Sequence, residues 1–195
     1  PQWYTVTNRS RTYVNKILNK ISGEVFKNYQ VNKIVRSENN VRVSIVNEYI
    51  DYDHVVLASH ADQSLKMIDD PTKEEKEILT KFSYVSNNAY LHLDKNLMPQ
   101  RKSAWSSWNS ITKENKTCVT YWLNKLQNLK TEKNYFLTLN PVEKISEENI
   151  IKKVNFTHPY FNNENVTLQK DLHSLQGKKR TWFCGSYFGY GFHED

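Results

Sequence analysis

Two hydrophobic periods run along this chain. Val14, Ile17, Leu18 and Ile21 recur at the i, i+3, i+4, i+7 spacing of one helix face, and Gly23 follows as a stop. With Ser10 as its cap, this predicts a helix over residues 10–21. The period then shortens. Residues 25–37 (VFKNYQVNKIVRS) and 41–46 (VRVSIV) predict a hairpin joined at Asn39 and Asn40, because adjacent asparagines tolerate positive φ. Val41, Val43 and Ile45 alternate with Arg42 and Ser44, the pattern of a half-exposed strand. Residues 55–58 (VVLA) are apolar on both faces, which predicts a strand buried inside a layered domain.

After Ser59 the texture changes. Thr72 and Glu75 form a capping-box pattern behind Pro71 and predict a helix through Phe82. Residues 89–94, 103–109, 118–124 and 135–140 alternate or are rich in aromatics, and predict one antiparallel or mixed sheet. Residues 146–154 (SEENIIKKV) read as a helix capped by Ser146 with acids in its first turn. Leu168, Leu172 and Leu175 mark a further helix, and residues 180–185 (RTWFCG) return as a strand. The expected class is α+β, a mixed or antiparallel sheet with flanking helices, in two subregions with the chain ends sharing one.

Composition narrows the class. Of 195 residues, 38% are hydrophobic and 25% charged, which supports a packed core and argues against disorder. No apolar run approaches a membrane span, and no secretory leader is visible at the start. Pro1 is not a natural first residue unless the chain is processed or cut. The net charge of +6 invites a nucleic-acid reading, but the cations are scattered and mostly lysine. A solvated lysine surface is the simpler account, so no nucleic-acid partner is expected. Cys118 and Cys184 lie far apart and sit in no metal spacing, so a reducing cytoplasm and no metal are expected. The sequons at Asn8, Asn115, Asn155 and Asn165 read as chance in an asparagine-rich chain.

Side-chain catalysis has little support. There is no G-x-S-x-G, H-E-x-x-H, C-x-x-C or Walker pattern, and His60 and His193 stand alone. Asp51 and Asp53 precede a strand and read as turn residues. The last line, FCGSYFGYGFHED, is different. Three of the five glycines, Gly185, Gly189 and Gly191, fall there among aromatics. A strand running into such glycines lets backbone come close to a flat or charged ligand. A glycine-rich terminal hairpin fits the same pattern.

RTWFCGSYFGYGFHED resembles the flavin-contacting segment of predicted FAD-binding oxidoreductases in the flavin amine oxidase superfamily, the bacterial group associated with cyclopropane-fatty-acid synthases. PQWYTVTNRSRTYV resembles that group's P-Q-W-x-T-V-x-G-G-S-x-x-Y-V. HVVLASHADQSLKMI, LMPQRKSAWSSWN, TYWLNKLQ, FLTLNP and FTHPYF resemble further blocks of it. Two departures stand out. Asn8 and Arg9 replace the Gly-Gly pair, and no G-x-G-x-x-G occurs, so the N-terminal βαβ dinucleotide-binding unit has no counterpart here.

The resemblance implies the C-terminal part of a two-domain flavin amine oxidase-like fold. Residues 1–59 would be the FAD-domain helix and β-meander, 60–178 the substrate domain, and 179–195 the returning FAD-domain strand and flavin-contact segment. It implies FAD as cofactor, with contacts from Val31, Ser59, Gly185, Ser186, Gly191, Phe192 and His193. The full-length enzyme would pass a hydride from a small-molecule substrate, an amine or a fatty-acyl compound, to the flavin, while this chain alone would be incomplete and inactive. Trp105, Trp108, Tyr121 and Trp122 are the candidates for a substrate-facing aromatic surface, with plain sheet packing as the alternative. No catalytic residue is assigned. A rival from another class is a free-standing α+β module that binds an apolar ligand without redox activity.

Overall fold

The computed structural model describes residues 4, 6–46 and 48–192. The chain divides into two compact units, Pro1–Val25 with Ser86–Thr157, and Phe26–Val85 with His158–Asp195. Residues 60–85 and 158–178, read with the sheet domain from sequence, thus cluster with the meander, and residues 1–25 cluster with the sheet.

The first unit is built on a five-stranded sheet. Its strands are β5 (Ser83–His92), β6 (Trp108–Lys113), β7 (Lys116–Trp122), β8 (Phe136–Leu139) and β9 (Ile150–Tyr160), in the order β6-β7-β8-β5-β9. The β6–β7, β7–β8 and β5–β8 pairs are antiparallel. Three of the four predicted runs are strands, and the fourth starts late. Residues 102–104 form a 3-10 turn, and the strand begins only at Trp108. Asn109 causes the delay. Its amide accepts from the Ser106 N–H and donates to the Ser106 carbonyl, closing a turn where ladder bonds would run. The helix expected at 146–154 is also absent. Ser146 makes no cap bond, its hydroxyl going to the Glu148 carboxylate, and Ile150, Ile151 and Val154 enter β9. β-Branched residues fit a pleated surface better than a helix. Helix α1 (Ser10–Leu18) forms but buries no side chain; its N-cap is Arg9, not Ser10. A single helical turn, α4 (Leu123–Leu126), follows β7 directly.

The second unit holds an antiparallel meander of β1 (Val31–Arg36), β2 (Val41–Ile45) and β3 (Glu48–Tyr52). Beside it lies a parallel pair, β4 (Val55–Leu57) and β10 (Thr181–Phe183). Helices α2 (Ala61–Met67), α3 (Lys73–Leu79) and α5 (Asn163–Leu168) and a 3-10 run over Gln169–Leu175 complete it. Ile34, Val41, Leu57, Leu79, Leu172 and Phe183 anchor one core. The capping box of α3 is present as read, with Glu75 N–H donating to Thr72 and Thr72 N–H to Glu75. Glu75 does a second job. It takes two hydrogen bonds from the buried Arg36 guanidinium, at 2.6 and 2.9 Å, and so ties α3 to β1. Residues 55–58 depart from the sequence reading. Leu57 is buried, but Val56 is 62% exposed, because only one face of the parallel pair is covered.

Candidate functional site

Parallel strands end together, and ligands in α/β sheets collect beyond their carboxyl ends. In the second unit the register Thr181↔Val55, Trp182↔Val56, Phe183↔Leu57 brings β4 and β10 to a common end. Two residues on from each lie Ser59 and Gly185, and a Cβ added to Gly185 would stand 3.8 Å from the Ser59 carbonyl oxygen. The Ser59 hydroxyl bonds Ser64 of α2 at 2.8 Å, which fixes the turn out of β4. Tyr84 holds the same turn from another side. Its hydroxyl accepts the Ala61 N–H at 2.7 Å, and its ring stacks on His60 with centroids 4.1 Å apart. Burial pushes the Tyr84 phenol up to about 12; the Ala61 N–H opposes that, and the Asp62 carboxylate adds to it.

The glycine segment folds over this end. Residues 186–188 form a 3-10 turn, and the Gly191 N–H returns to the Ser186 carbonyl at 3.1 Å. Gln169 supports the loop by donating to the Tyr187 and Gly189 carbonyls. Gly185 has φ +148 and Gly191 φ +93, conformations that side chains rarely adopt. Their close approach is to protein rings. A Cβ would meet Tyr187 at 3.0 Å in one case and Phe161 at 2.9 Å in the other. Tyr187 is buried against Phe82, and its hydroxyl has no hydrogen-bond partner among the described residues. Burial, with Tyr84 and Cys184 nearby, raises that phenol well above its ordinary range, so it stays a proton donor at neutral pH. The other buried side-chain atoms in this condition are Asp62 Oδ1 and His92 Nδ1.

Of the cofactor candidates, the fold thus brings Ser59, Gly185, Ser186 and Gly191 into one segment cluster. Phe192 follows, 60% exposed. Val31 stands at the start of β1 in the separate meander sheet, partly buried against the core. His193 lies outside the described residues. Tyr84, Tyr187 and Gln169 were not singled out from sequence. Tyr187 had a visible signal, as an aromatic set between glycines.

The aromatic candidates separate onto opposite faces of the five-stranded sheet. Trp105 meets Trp122 and Phe136 edge-on, at 5.3 and 5.6 Å, and donates its indole N–H to the Pro99 carbonyl. The same face carries a buried chain from His92 Nε2 to Thr138 to Thr120, each link 2.8 Å. The His92 imidazole is held below its ordinary pKa, chiefly by burial. Trp108 and Tyr121 sit on the other face, 5.8 Å apart and in direct register.

No family model matches the sequence, and no curated protein matches it. Solved structures do. A CLA-producing fatty acid isomerase from P. acnes matches with TM-score 0.64 and 14% identity, over 94% of this chain and 48% of that one. A putative protoporphyrinogen oxidase from Exiguobacterium sp. 255-15 matches with TM-score 0.64 and 10% identity, over 92% and 47%. A putrescine oxidase redesigned in its cofactor binding matches with TM-score 0.64 and 11% identity, over 93% and 48%. The fold is part of a flavin amine oxidase-like fold. The chain spans about half the length of these structures. Among the described residues no helix is long and apolar enough to cross a membrane.

Proposed function

We propose that this chain is the C-terminal part of an FAD-dependent oxidoreductase. The unit containing β4 and β10 holds the cofactor, and the sheet of residues 86–157 holds the substrate. Ser59, Gly185, Ser186, Gly191, Phe192 and His193 would lie against the flavin, and Val31 near the adenine. The observation that supports this reading best is the common carboxyl end of β4 and β10, where Ser59 lies beside Gly185. The residues there fit such a group. They offer backbone from two loops and a buried hydroxyl on Tyr187 that has no partner among the described residues. When bound, FAD would supply the acceptor for a hydride leaving a substrate carbon. The chain's own part is to hold and to dry the site. The Ser59–Ser64 bond and Tyr84 fix the β4–α2 turn, Gln169 fixes the glycine loop, and Tyr187 keeps its proton available for donation.

The pyrophosphate-binding loop is not among residues 1–195, so the reading requires a βαβ unit from elsewhere in the protein. A fatty-acyl or an amine substrate is proposed; the fatty acid isomerase and the putrescine oxidase among the neighbours act on one of each kind. The test is the visible spectrum of the polypeptide encoded by the whole reading frame around this chain. Oxidised-flavin bands that bleach on reduction are expected. A colourless protein that takes up no added FAD ends the reading.

A further inference from the structure

Arg9 has φ +68 and ψ −173, a backbone region that is essentially glycine's alone. The chain adopts a glycine-like conformation there and puts a guanidinium on it. The strain would vanish with a glycine, so the side chain is the feature that needs explaining.

That side chain lines a cavity of about 400 Å³ within the first unit, together with Leu91, Leu123, Leu129, Lys130 and Tyr135. The volume falls in the ordinary range for small-molecule sites. Its half-buried lining residues, Leu91, Leu123, Leu129 and Tyr135, are largely apolar, and exposed Gln127 and Thr131 complete it. Two cations, Arg9 and Lys130, stand at its rim, and among the described residues neither has an acidic partner. From Leu91 an apolar row crosses the sheet in register, Leu91↔Leu137, Leu137↔Tyr121, Tyr121↔Trp108. Three strand spacings make that row roughly 14 Å long. None of its four residues is charged.

We propose that Arg9 and Lys130 bind the carboxylate of a long-chain acid whose tail lies along Leu91, Leu137, Tyr121 and Trp108. A planar guanidinium and a neighbouring ammonium match a carboxylate, and the row offers the tail only apolar contacts. The same face disfavours a cationic amine, which would meet two like charges and no carboxylate. This inference names the substrate class of the sheet unit and rests on its assignment as the substrate-holding part. Binding of the acid needs no flavin, so the two readings fail separately.

The test is titration of the 195-residue chain with a fluorescent dansylated undecanoic acid, its methyl ester, and phosphatidylglycerol vesicles free of acid. Saturable binding of the acid is expected, with the ester weaker by about tenfold to a hundredfold, the worth of a charge-assisted hydrogen bond. Displacement by unlabelled acids should strengthen about fourfold per added methylene until the row is filled. Arg9→Gly should weaken the acid but not the ester while raising Tm, because it relieves the backbone, and so loss of binding cannot be blamed on misfolding. Lys130→Gln should act in the same direction on binding. Equal affinity for acid and ester, unchanged binding in Arg9→Gly, binding of vesicles alone, or no saturable binding would each overturn the proposal.

Discussion

Arg36 and Glu75 meet in a nearly dry place, with their side chains 0% and 2% exposed. Burial alone would raise the Glu75 carboxyl, but the Arg36 guanidinium and the Thr72 N–H together hold it below its ordinary 4.5. A carboxylate with a depressed folded pKa stabilises the fold above its unfolded value, and that contribution is lost as pH falls through the folded value. Stability should therefore decline as pH drops below about 4.5. Glu75→Gln should cost about 1.5–3 kcal/mol at neutral pH, because the buried Arg36 guanidinium loses its two-point carboxylate and keeps only the partly exposed Asp70 as an anionic partner. It should also flatten the acid limb of the stability curve. Urea midpoints taken across the acid range check both; an unchanged acid limb in the variant would place the titration elsewhere. Gly191→Ala offers a test by sterics alone. Its Cβ would meet Phe161 at 2.9 Å with φ at +93, so a loss of about 1–3 kcal/mol is expected. Gly23→Ala, with nothing within 4 Å, should be near neutral in the same assay.

Among the elements, the β4–β10 pair is the odd one. Parallel sheets are ordinarily covered on both faces. Here one face meets the core through Leu57 and Phe183, while Val56 and Trp182 on the other are 62% and 43% exposed. The outer edge of β10 is closed by a side chain. The Gln176 amide accepts the Phe183 N–H at 2.9 Å and donates to the Phe183 carbonyl at 2.8 Å. That leaves β4 as the edge for further strands. Gln176→Ala should lower stability by about 1–3 kcal/mol, since two backbone groups lose their partners. It should also promote self-association through the opened edge, visible as earlier elution on size exclusion. The sequence could announce such strands only in part. The Thr72–Glu75 box and three of the sheet runs were legible because each is a local device; the hairpin at Asn39–Asn40 forms as read, but Ser37 closes its turn and neither asparagine takes positive φ. Ser146 looked like a cap, yet its hydroxyl had a side-chain partner two residues away. Residues 55–58 looked doubly buried because apolar residues on both faces state a demand for cover, not its presence. The grouping of Ser59 with Gly185 was legible only through resemblance, since parallel register joins residues far apart in the chain. Tyr84 and Lys130 carry no pattern at all, and their roles come from what the fold sets beside them.

At the scale of the molecule, the chain has a fold that spans about half the length of its structural neighbours. FAD affinity in such a fold should come largely from a glycine loop and helix N-terminus, whose N–H groups and dipole converge on the pyrophosphate. No G-x-G-x-x-G lies in residues 1–195. On the proposed reading the chain would offer one end near Ser59, Gly185 and Gly191, beyond the β4–β10 pair, and another near Val31 in the meander. Holding both on a ligand without the intervening strands means ordering loop residues at about 1–2 kcal/mol each. Ordering ten such residues would cancel the attraction available at the two ends. The isolated chain should therefore bind FAD weakly or not at all, while still binding a long-chain acid through the separate sheet unit. Titrating FAD into the chain and following flavin fluorescence checks the first half of this. Quenching that saturates at stoichiometric FAD and micromolar concentration would mean that residues 1–195 hold the cofactor unaided, and that the absent βαβ unit is dispensable for binding.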